Sequence, residues 1–307
     1  MLFERILNWG RPRSGGYTIA AVAFGKHPGW DDHIDDIGLQ TQSLVQIKRS
    51  LYHDGMAGNI DAGTWERAGA ASLPEFDHSL LWMMESSLTI GRIVSSVDGK
   101  GRSKYPLVLM VHVENLSLRF LLDRCVEPLE RAVEQARKAT TAQGLRQVMA
   151  ELQSAVEAGV NPAEHAIGVD LRGEQALAEV ADRLVDRQEA LLRIIYMVRS
   201  ELRRLRSESC GHLRVCPLGA DLFNSLALWL RFVAGQLDPR SPRDVLAIAA
   251  RGQEVVDVFT GRPSTEALGV IRLSVSAVHS SFDVPYQLDS DFVAQVGRDL
   301  AASRARV

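Results

Sequence analysis

The hydrophobic pattern opens on a short apolar run at residues 17–24, rich in strand formers and preceded by Gly15-Gly16. It predicts a buried first strand, followed by the turn Gly25-Lys26-His27-Pro28-Gly29. Two stretches then space apolar residues as one face of a helix would: Leu44, Ile47 and Leu51 within 40–52, and Leu80, Leu81, Met84 and Leu88 within 76–88. Both are predicted helical. Residues 91–97 and 107–113 are β-branched or apolar and flank the polar stretch Asp98-Gly99-Lys100-Gly101-Arg102-Ser103-Lys104, which predicts an antiparallel hairpin with an extended loop. Pro106 belongs at the start of the second strand, where its missing N–H costs least.

Beyond the hairpin the pattern becomes helical. Leu118, Leu121, Leu122, Cys125, Leu129 and Val133 mark a stripe along 117–138, with Pro128 bending or splitting the helix. A second helix is predicted over 144–158 and a longer one over 174–206. In the longer one Leu184, Leu191, Val198 and Leu205 recur every seventh residue, with Ile195 and Leu202 between them and Gln188 interrupting the seam. So few clean heptads favour packing within the chain over a coiled-coil dimer. A strand at 212–218, a helix at 220–235, the Asp238-Pro239-Arg240-Ser241-Pro242 break, a hairpin of 245–250 with 255–260, and helices at 263–268 and 290–301 complete the reading. Antiparallel hairpins separated by helices define an α+β class: a mainly antiparallel central sheet flanked by helices, with a long helical middle segment.

Composition narrows the function. The 307 residues are 46% hydrophobic and 24% charged, with 35 Lys and Arg against 38 Asp and Glu, so no broad positive field attracts nucleic acid. Cys125, Cys210 and Cys216 form no C-x-x-C pair, and sparse unpaired cysteines suit a reducing cytoplasm. No apolar run is long enough for a transmembrane helix. Leu2, Phe3, Ile6 and Leu7 give residues 1–9 a short apolar face, whose commoner use is docking on the protein body and whose alternative is a peripheral membrane contact.

Candidate chemistry is densest at His27-Pro28-Gly29-Trp30-Asp31-Asp32-His33-Ile34-Asp35-Asp36. His27, Asp31, Asp32 and His33, with His53 as a remote ligand, would suit a metal-dependent hydrolase. The simpler use is a turn at Pro28-Gly29, with Asp31 or Asp32 capping the next helix. Gly99-Lys100-Gly101-Arg102-Ser103 lacks the spacing of a phosphate-binding loop, and there is no Gly-x-Ser-x-Gly elbow. Cys210-Gly211-His212 sets a thiol near an imidazole, though a lone cysteine is more often a small buried hydrophobe. Trp82 and Trp229 read as core and Trp30 as a partner contact. No catalytic residue, cofactor or metal is assigned.

Two segments resemble a known family. Phe24-Gly25-Lys26-His27-Pro28 followed by Asp32 and Ile34, and Ser96-Val97-Asp98 followed by Gly101, Arg102, Tyr105, Pro106 and Leu107, are similar in kind and order to the N-terminal signature and hairpin of the TagF-like proteins of bacterial type VI secretion. One extra residue separates Arg102 from the aromatic, and the family's tryptophan-rich closing strand is missing near 245–268. Physically, Asp98 can accept from turn amides, Gly101 can supply a positive φ, and Arg102 can reach Asp32 or Asp98. The resemblance covers about 17–113 and implies an N-terminal segment at 1–16 and a single TagF-like domain over 17–307, with a helical insertion at about 114–206. It further implies a noncatalytic cytoplasmic regulator that restrains secretion after translation by binding partners such as a forkhead-associated scaffold. Gly25, Lys26, Pro28, Trp30, Asp32, Ser96, Asp98, Gly101, Arg102, Tyr105 and Pro106 are then the structural or partner-binding positions.

Overall fold

The computed structural model describes residues 16–84, 87–161, 173–202, 205, 209–237 and 244–305. Its frame is one seven-stranded sheet. The strands are β1 (Thr18–Gly25), β2 (Asp77–Met84), β3 (Ser87–Val94), β4 (Leu107–Glu114), β5 (Gly211–Val215), β6 (Val245–Ala250) and β7 (Val256–Thr260). They lie in the order β1-β4-β3-β2-β6-β7-β5 with every neighbouring pair antiparallel. The fold class is α+β, as the succession of hairpins and helices predicts. The short apolar face at 1–9 and the proline break at 238–242 lie outside the described residues.

Helices cover both faces of the sheet. α1 (Gln42–Ile47) runs through a π-helical stretch, Lys48–Ala57, into α2 (Gly58–Asp61), and α3 (Thr64–Ala68) follows on the same face. The opposite face takes α4 (Leu118–Phe120), α5 (Val126–Lys138), α6 (Ala142–Glu157), α7 (Gly173–Arg183), α8 (Gln188–Tyr196) and α9 (Leu222–Gln236). α10 (Thr265–Leu268) returns to the first face, and α11 (Ser290–Arg304) packs on α7.

Alternate residues of each strand therefore enter different cores. Val22, Leu80, Trp82, Val108 and Met110 meet Leu51, Tyr52 and Trp65, whereas Ala21, Leu81, Met83, Leu109 and Val111 meet Leu129, Val133 and Leu152. A strand buried on both sides has no polar face, so its sequence loses the alternation that marks a half-buried strand. This corrects the expected helix at 76–88: the stretch is β2 and the beginning of β3, and its helix-like spacing is the by-product of a continuous apolar run. Trp82 is core as expected, but on a strand; Trp229 is core on α9.

The helical middle differs in detail from its sequence pattern. The stripe at 117–138 is split by a π-helical stretch, Leu121–Cys125, just before Pro128. Pro128 is the third residue of α5, directly after that stretch. The single helix expected over 174–206 is broken: α7 ends at Arg183, Leu184 leaves the helical region at φ −111° and ψ 29°, and the tight turn Val185–Arg187 leads into α8. Leu184, Leu191, Ile195, Val198 and Leu202 are all buried in the chain's own core.

Both sheet edges are covered by side chains that imitate a neighbouring strand. The Gln153 amide accepts from the Ala21 N–H at 2.6 Å and donates to the Ile19 carbonyl at 3.1 Å, along the outer side of β1. On β5 the Arg214 N–H donates to Ser281 Oγ at 2.9 Å, and Ser280 Oγ donates to the Arg214 carbonyl at 3.3 Å. Such cover blunts an edge that would otherwise pair with another chain.

Candidate functional site

The segment after β1 and the loop between β3 and β4 meet because β1 and β4 are paired, with Gly25 opposite Leu107. Gly25 has φ +111°, and a Cβ there would stand 2.2 Å from the Pro106 carbonyl oxygen. That approach lets the Lys26 N–H donate to the same oxygen at 3.1 Å. Gly25→Ala is therefore expected to cost about 1–3 kcal/mol, from a strained φ and a backbone clash together, read as a lower urea midpoint.

Lys26 turns inward. Its Nζ lies 2.6 Å from Asp98 Oδ2 and 3.2 Å from Asp32 Oδ1, with the Lys26 and Asp98 side chains both buried. Asp98 Oδ1 accepts from the backbone N–H groups of Lys100 and Arg102 at 3.0 Å each, and Oδ2 accepts from Arg102 Nε at 2.7 Å. Burial on its own would raise the Asp98 carboxyl; the Lys26 ammonium and the donors of Arg102 and Lys100 outweigh it and hold the group well below the usual carboxylate range. Gly101 adopts φ +77° inside this turn, and its N–H donates to the Asp98 carbonyl at 2.8 Å. Asp98, Gly101 and Arg102 thus take the physical roles that their residue types suggest.

The two segments are further bound at their rims. The Gly99 N–H donates to the Trp30 carbonyl at 2.6 Å, and Arg102 Nη2 donates to the Asp31 carbonyl at 2.7 Å and stands 3.3 Å from Asp32 Oδ1. Lys26 holds the Asp32 carboxyl below its ordinary value. The Lys26 ammonium also lies 5.5 Å from the Tyr105 ring centroid, and the Tyr105 hydroxyl donates to Asp61. Trp30 Nε1 donates to Asp35, and Arg146 both pairs with Asp35 and covers the indole at 5.5 Å. Pro28 lies in the turn after β1, and Ser96 is half-buried ahead of the loop.

Asp31 and Asp32 cap no helix. α1 is capped by Thr41, whose side chain accepts from the Leu44 N–H; the Asp32 carboxylate serves the Lys26 and Arg102 network instead, and the Asp31 carboxylate lies 3.8 Å from Lys100 Nζ. His27 is buried with both ring nitrogens engaged: Nδ1 accepts from the Gly29 N–H at 3.1 Å, which leaves Nε2 to donate to the Ala136 carbonyl at 3.2 Å. Burial lowers its pKa against the pull of the Ala136 and Ala139 carbonyls. His33 Nδ1 lies 3.1 Å from Asp32 Oδ1, and burial likewise lowers His53. Among the described residues no group of three or more His, Cys, Asp or Glu side chains is disposed to hold a metal ion. What the site presents to solvent is a braced mixed-charge surface: Asp31, Asp32, Lys100 and Arg102 are all at least half exposed.

A second polar network, unforeseen in the sequence, lies beneath β5 and β7. Arg214 and Asp257 are directly opposite in register and form a bidentate pair at 2.8 Å on both branches, both buried. His212 Nε2 adds a third contact to Asp257 at 2.8 Å. The remaining Arg214 donors reach the carbonyls of Val270, Leu273 and Ser274, while His78 Nε2 reaches Ile271 and Trp65 Nε1 reaches Gly269. The sheet thereby ties down residues 269–274. Opposite charges set inside two apolar strands were the available signal, but their pairing depends on a register that neither strand reveals alone.

The architecture is thus an α+β protein with a Lys-Asp-Arg-braced turn at one sheet edge and a buried Arg-Asp pair at the other. No protein-family model matches the chain, and no curated protein matches it in sequence. Among solved structures it is similar to the crystal structure of PA0076 from Pseudomonas aeruginosa PAO1, at 15% sequence identity and a TM-score of 0.44, over 88% of this chain and 99% of that one. No helix among the described residues is long and apolar enough to cross a membrane.

Proposed function

We propose that this chain is a noncatalytic cytoplasmic regulator of the TagF-like kind, restraining a bacterial type VI secretion system after translation by binding a scaffold such as a forkhead-associated protein. One observation supports the reading: the two segments that resemble that family are joined through Asp98, which binds Lys26 of the first and Arg102 of the second. Charges already paired with one another make poor general acids and bases, whereas a rigid mixed-charge rim suits orientation-specific contact with a partner.

Asp31 and Lys100 test the surface without disturbing the brace, since both are exposed and 3.8 Å apart. The double variant Asp31→Arg, Lys100→Glu is expected to melt with the parent and to lose about tenfold or more in affinity for the purified forkhead-associated scaffold, as central interface positions do. Titration of scaffold by light scattering or calorimetry reads this. A parent chain that binds no such scaffold, and whose deletion leaves secretion unchanged, overturns the proposal.

A further inference from the structure

A cavity of about 800 Å³ opens where β5 ends, at the sheet edge opposite the braced turn. Its size falls in the range of small-molecule sites, about 300–1,000 Å³. Val215, Val255 and Phe282 form a buried apolar floor, and Arg183 and Arg187 stand at the rim, on either side of the break between α7 and α8.

Those two arginines differ from their neighbours. Arg231 is paired with Glu179, Arg304 with Asp182, Arg193 with Glu189 and Arg199 with Asp299. Arg183 and Arg187 have no hydrogen-bond or ion-pair partner among the described residues. Gly219 makes room for one of them: it sits at φ +129°, and a Cβ there would lie 3.1 Å from Arg183 Nη1, so the guanidinium rests across the backbone at the cavity mouth. Arg214 also lines the wall but is saturated by Asp257 and three carbonyls, so it offers nothing to a ligand. The Cys216 thiol is raised by burial against the pull of Arg187 and adds neutral surface. Asp186 and Glu254 also reach the rim, offsetting much of the positive charge and disfavouring a polyanion.

We infer that this cavity binds an amphipathic organic monoanion, its acid group between Arg183 and Arg187 and its apolar body on Val215, Val255 and Phe282. The inference is independent of the proposed regulatory role. The anilinonaphthalene sulfonate dye ANS is a suitable probe, being an apolar body with one anionic group. With the folded 307-residue chain, its fluorescence is expected to saturate at one dye per chain. The double variant Arg183→Ala, Arg187→Ala is expected to bind about tenfold or more weakly, and Glu254→Gln about twofold to threefold more tightly, from the loss and gain of local positive potential. Decanoate should displace the dye and decanol should not. Circular dichroism melts of each variant exclude dye uptake by a loosened core. Absence of saturable binding by the parent, equal binding by the folded double-arginine variant, or equal displacement by decanol overturns the assignment.

Discussion

Replacing Asp257 with alanine is expected to lower the unfolding free energy by about 3–5 kcal/mol, because it leaves the Arg214 guanidinium buried without its counter-charge. Burial would raise the Asp257 carboxyl, but Arg214 and His212 outweigh it and hold the group below its ordinary value, so the carboxylate is ionised at neutral pH. A urea titration followed by circular dichroism reads the loss as a shift in midpoint at constant slope. The double variant Asp257→Leu, Arg214→Met removes both charges and is expected to recover only part of the loss. Arg214 also satisfies the carbonyls of Val270, Leu273 and Ser274, which methionine cannot do. A loss under about 1 kcal/mol would mean that water reaches Arg214 and that the pair is not a buried one.

The contrast between the two polar networks shows what the sequence made legible. The turn around Asp98 could be read locally, because its acceptor, its positive-φ glycine and its arginine lie within a few residues and each has a local physical reason. Lys26 could not be assigned to Asp98 in that way, since the two meet only through the pairing of β1 with β4. The same limit hid Arg214 and Asp257. Secondary structure failed for a related reason: in β2, Leu80, Leu81, Trp82 and Met83 are all apolar because each face has its own core, and periodicity cannot separate such a strand from a buried helix. The break at Leu184 has no glycine or proline to announce it, only the weak helix formers Val185 and Asp186.

Acidification supplies the second large effect, through His78. Its ring is fully buried, Nε2 donates to the Ile271 carbonyl at 2.9 Å, and Nδ1 has no partner, so a second proton would place an unsatisfied N–H and a charge inside the first-face core. Burial brings its pKa down to about 4, against the opposing pull of the Ile271 carbonyl. In the unfolded chain the ring titrates near its ordinary value of 6.5. Between those values the unfolded state takes up a proton that the folded state refuses. The stability tied to His78 is therefore fully present above about pH 6.5, declines as the pH falls toward 4, and levels off below that. The total is about 3 kcal/mol at roughly 1.36 kcal/mol per pKa unit. His78→Gln keeps an N–H for Ile271 but cannot titrate. Urea midpoints at pH 7.5 and pH 4.5 are accordingly expected to fall less in the variant than in the parent, by about 2–3 kcal/mol of unfolding free energy. Equal falls would place the acid sensitivity in His27 or His112, whose pKa values burial also lowers, and not in the ring that ties β2 to residues 269–274.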